Sequence, residues 1–142
     1  MIRAHLDAVT ALLTASLPAS CTVHAGEVSG VDEAAQPAPA TPYVVVRTDP
    51  GRMTSDRLAQ WSSRLDMRLY VTAVGATQRE TLWAAERCRS ALLDARPVVA
   101  GCICSPLRMG DASPVTVDRD VTPHLHVAVD VWDLTSLPTQ GV

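Results

Sequence analysis

The sequence contains no phenylalanine and no lysine, and aromatic residues make up only 4% of it. With so few rings, Leu, Val and Ala must fill whatever core the chain builds. All 12 basic side chains are arginine, a usage that fits GC-rich coding and says nothing about mechanism. No stretch gathers arginine without Asp or Glu nearby, and the net charge is −3. A dedicated nucleic-acid binder presents a basic patch that displaces phosphate counterions, so specific nucleic-acid binding is not expected. Long apolar runs are missing as well. Met1 to Leu17 carries His5 and Asp7 inside its apolar pattern, which argues against a signal peptide or a membrane span there. With no secretion signal, the four cysteines (Cys21, Cys88, Cys102, Cys104) are expected as reduced thiols in a protein assembled in the cytoplasm.

What is present suffices for one domain spanning 1–142. A chain of 142 residues with 47% apolar content can build a real core without covalent staples. Ile2, Leu6, Val9, Leu12, Leu13 and Leu17 recur at three- and four-residue spacing and predict a helix that Pro18 ends. A short strand is expected around Cys21 to Val28. Within residues 29–42, the run Asp32 to Pro42 holds three prolines and no large apolar side chain, and the segment predicts an internal loop. Tyr43 to Thr48 is an unbroken β-branched run suited to a central strand, closed by an Asp49-Pro50-Gly51 turn. Arg52 to Arg64 reads as an excursion between strands. Such excursions often carry function in compact domains.

The clearest periodicity comes next. Leu65, Met67, Leu69, Val71 and Ala73 alternate with Asp66, Arg68, Tyr70 and Thr72, which predicts a strand with one buried face. Gly75 breaks it. Thr77 and Glu80 then have the spacing of a capping box, opening a helix to about Ala95 with Leu82, Ala85, Cys88 (or Arg89) and Leu92 on its inner side and Pro97 beyond its end. Short strands are expected at Ala100 to Leu107 and Val115 to Asp120, with a turn over Gly110 to Pro114 between them. In a final strand, His124 to Leu134, the residues Leu125, Val127, Val129 and Val131 are expected to face the core. The fold class is therefore α+β, a mostly antiparallel sheet with two helices packed on one face. The other face would carry Arg68, Tyr70, Thr72, His126, Asp130 and Trp132, a mixture suited to protein–protein contact.

Catalytic patterns are absent: there is no G-x-S-x-G elbow, no phosphate-binding glycine loop and no H-E-x-x-H, so no enzyme activity is expected. Cys102-x-Cys104 and His124-x-His126 could each offer two ligands to a tetrahedral ion, because residues two apart on a strand share a face. Structural zinc sites favour two to four residues between cysteines, and neither doublet has that spacing. Two small thiols and two sheet-face imidazoles are the expected roles, with no metal and no cofactor.

The run Leu69-Tyr-Val-Thr-Ala-Val-Gly-Ala-Thr77, followed by Leu82-Trp-Ala-Ala-Glu-Arg-Cys-Arg-Ser-Ala-Leu-Leu93, resembles tail terminators of long-tailed phages. Tyr43-Val-Val-Val and Asp49-Pro-Gly51 add to the likeness, which extends over nearly the whole chain and is strongest with phages of actinobacteria. The resemblance implies a structural virion protein that forms a hexameric ring on a finished tail tube. Such a ring ends tube polymerisation and joins the tail to the head connector. Its partners would be copies of itself, the tube protein and the connector, at the head–tail junction. A head-completion or neck ring protein at the same junction is the alternative, and a small metal- or ligand-binding module is a third reading. On the ring reading, Arg52, Met53, Arg57, Trp61, Arg68, Tyr70, Asp130 and Trp132 are the candidate contact residues, since Trp, Tyr and Arg dominate interface energetics.

Overall fold

A computed structural model describes residues 2–26, 41–54 and 64–139. The element order is α1 (Ile2–Ser16), β1 (Thr22–Ala25), β2 (Tyr43–Thr48), β3 (Arg52–Thr54), β4 (Arg64–Gly75), α2 (Gln78–Leu92), β5 (Cys102–Cys104), β6 (Arg108–Ala112), β7 (Thr116–Asp118) and β8 (Leu125–Pro138). All eight strands join one sheet, antiparallel except for the β1–β2 pair. The α+β class read from the sequence is the fold that forms. The predicted 29–42 loop lies outside the described residues apart from Thr41 and Pro42.

β4 and β8 are the axis of the sheet. They pair antiparallel from Leu65 opposite Ser136 to Gly75 opposite His126. β2 and β3 line up on the free side of β4, with Val44 opposite Ala73 and Arg52 opposite Asp66. β5, β6 and β7 line up one after another on the free side of β8. β6 occupies part of the stretch expected as a turn. Its register slips between Met109 and Asp111, a bulge that lets a glycine-containing segment pair. Gly110 lies close against Asp133 there: a Cβ would come 2.7 Å from its carboxylate oxygen and push that exposed side chain aside.

Both helices cover the same face. Val9 and Leu13 of α1, and Ala84, Cys88 and Leu92 of α2, share one core with Val44, Val46, Leu69, Val71, Trp132 and Leu134. α2 starts as its sequence dictates: the Glu80 amide donates to Thr77 Oγ1 at 3.2 Å, and the Glu80 carboxylate accepts from the amide of Ala76 at 3.4 Å. The glycine before it serves close packing, since a Cβ on Gly75 would lie 2.7 Å from the Thr81 amide. The inner side of α2 is rotated from the expected one. Thr81 is buried and donates to the His126 carbonyl at 2.9 Å, whereas Leu82 is 51% exposed.

The phase of β8 also differs from the sequence reading. Ala128, Asp130, Trp132, Leu134 and Ser136 face the helices, and Val129 and Val131 turn to the far face. The misleading signal is the run of valines, half-buried because Val127 and Leu125 pack into a second, smaller cluster with Tyr43, Val45 and Val74. Polar Asp133 and Thr135 beyond it reveal the true phase. Trp132 is 1% exposed and belongs to the core, not to a contact surface. Its indole N–H has no acceptor among the described residues. Trp132→Ala is therefore expected to cost about 3–5 kcal/mol in thermal or denaturant unfolding, and Trp132→Phe much less, since the smaller ring removes an unsatisfied donor.

Candidate functional site

Both helices pack on one face of the sheet, and alternation fixes what the far face displays. Opposed pairs put Tyr70 next to Val131, Arg68 next to Asp133, Thr72 next to Val129 and Arg47 next to Tyr70. Arg68 and Asp133 form an exposed ion pair at 3.5 Å, and Arg108 stands opposite Asp133 from β6. Arg68, Tyr70 and Thr72 thus occupy the surface expected of them. Val129, Val131 and Asp133 join them, which the sequence reading missed because it inverted β8.

At the β3 end this face opens into a cleft of about 580 Å³ bounded by Arg52, Arg64, Arg68, Asp49, Asp66 and Asp133. Its carboxylates are already engaged. Asp49 Oδ1 accepts from the amides of Arg68 at 2.9 Å and Gly51 at 3.2 Å. Asp66 accepts from Thr135 Oγ1 at 2.8 Å, Arg64 Nε at 3.1 Å and Thr54 Oγ1 at 3.4 Å. Partial burial pushes the Asp66 carboxyl up, but the hydrogen bonds from Thr135 and Arg64, the Arg64 charge and Thr54 outweigh it. The group therefore sits below its ordinary value. Three arginines balanced by three aspartates make a neutral cleft, which would not grip phosphate.

Other candidates are dispersed. Arg52 lies on the far face opposite Asp66, whereas Met53 is opposite Leu65 and exposed on the helix side. Arg57 and Trp61 lie outside the described residues. Asp130 is a correction: it is buried and bound by Arg89 of α2 through two contacts of 2.8 Å. That pair ties helix to sheet and offers nothing to a partner. The Asp130 hydrogen bond is the main cause that raises the Arg89 guanidinium above its ordinary value.

The metal doublets are held apart. Cys104 is opposite Ser136 and His126 is opposite Gly75, so the two pairs lie ten positions apart on β8, about 33 Å along an extended strand. They cannot share an ion. Burial, moderated by a Ser136 hydrogen bond and reinforced by Cys102, holds the Cys104 thiol above its ordinary value. Burial, with Cys21 and Asp130 nearby, pushes Cys88 up to about 12. Such thiols stay protonated and make poor nucleophiles.

One buried polar contact had a signal that the sequence reading passed over. His5 Nε2 lies 2.7 Å from Ser136 Oγ, and both residues are fully buried. His5, Val9, Leu13 and Leu17 recur every four residues, so the imidazole continues the apolar stripe of α1 and does not interrupt it. It docks α1 onto the end of β8.

No family model matches the chain, and no curated protein matches it. Solved structures do. A chain of the virion of a native gene transfer agent particle shares the fold with a TM-score of 0.53 and 13% identity, over 94% of each chain. A second solved structure, of a protein without a functional name, gives a TM-score of 0.60 and 15% identity over 99% of this chain and 96% of the other. At these identities the likeness is one of fold.

Two measurements test the site. Arg89→Ala should lower stability by about 2 kcal/mol because it strands a buried carboxylate, whereas Arg68→Ala should change it by no more than about 0.5 kcal/mol. The second is pH. Because the Asp66 value is lower folded than unfolded, its contribution is present above about pH 4 and is lost as pH falls through the folded value. Asp66→Asn should remove that increment at neutral pH and flatten the acid side of the stability curve; an acid side as steep as the wild type's would contradict the network.

Proposed function

We propose that this chain is a structural protein of a phage-like virion, acting by association alone, as a ring subunit that caps the tail tube. The observation that carries the reading is the fold shared over 94% of both chains with a chain of the gene transfer agent virion. The local resemblance in β4 and α2 to tail terminators gives the finer assignment. The surface supports it in two ways. The far face carries Arg68, Tyr70, Val129 and Val131 with no helix over it among the described residues, a composition suited to a protein contact. Its charges are balanced in place, so DNA could pass such a ring without being held. Among the described residues no group of three metal-ligating side chains converges, and no helix is long and apolar enough to cross a membrane.

On this reading the ring sits on the last ring of tube protein, stops further polymerisation and offers its other side to the head connector. A ring of identical subunits uses a heterologous contact, in which one patch meets a different patch on the neighbour. Six copies, the number implied by the family resemblance, would close it. The test is electron microscopy of particles made without this protein. Headless tails of irregular, excessive length are expected; tails of normal length would contradict the proposal.

A further inference from the structure

We draw no further inference here: the strongest candidate, the open cleft on the outer side of α2 lined by Arg79, Leu82, Trp83 and Glu86, carries none, because nothing in the structure shows what covers it and the mixed charges of Arg79 and Arg87 beside Glu86 select no class of partner.

Discussion

The antiparallel ladder between β4 and β8 is the constraint on which the rest of the structure depends. It aligns Leu69 with Trp132 and Met67 with Leu134 on one face, and Tyr70 with Val131 and Arg68 with Asp133 on the other. Because side chains alternate with a strict period of two, that single register decides which residues enter the core and which remain available to a partner. A slip of one position would place Trp132 in water and Asp133 under α2. The other strands attach to the outer sides of this pair, and both helices pack on the face that it makes apolar.

Polar contacts between helix and sheet hold the layers in that register, with Thr81 of α2 donating to the His126 carbonyl and two side-chain pairs beside it. Arg89 and Asp130 join α2 to β8, and His5 and Ser136 join α1 to its far end. Each places a group that would be costly to bury alone against a partner with good geometry. With no phenylalanine and a core of Val, Leu and Ala around one buried tryptophan, apolar shape alone specifies the helix positions weakly. These pairs give each helix one defined seat.

Much of this was legible in the sequence, for identifiable reasons. Leu65 to Ala73 alternates without exception because only one side of β4 is apolar, and Thr77 with Glu80 marks the start of α2 through local hydrogen bonding. The α+β class followed from those elements. β8 was misread because its first half packs on both sides: Leu125 and Val127 face one small cluster while Ala128 faces the main core. Asp130 looked exposed because its burial depends on Arg89, 41 residues away, which no local window contains. β6 was missed because Gly110 and Pro114 carry turn chemistry, and only pairing with β8 makes a bulged strand of that segment. The far-face half of the candidate surface was visible in β4; the half supplied by β8 was not.

The far face balances its charges within its own cleft, and burial keeps the core thiol of Cys88 protonated. The most direct test of this account is the position of the chain in an averaged cryo-electron microscopy map of the intact particle. The account predicts a closed ring of this chain between the last ring of the tail tube and the head connector. Density for the chain against the portal, or its absence from the particle, would contradict it.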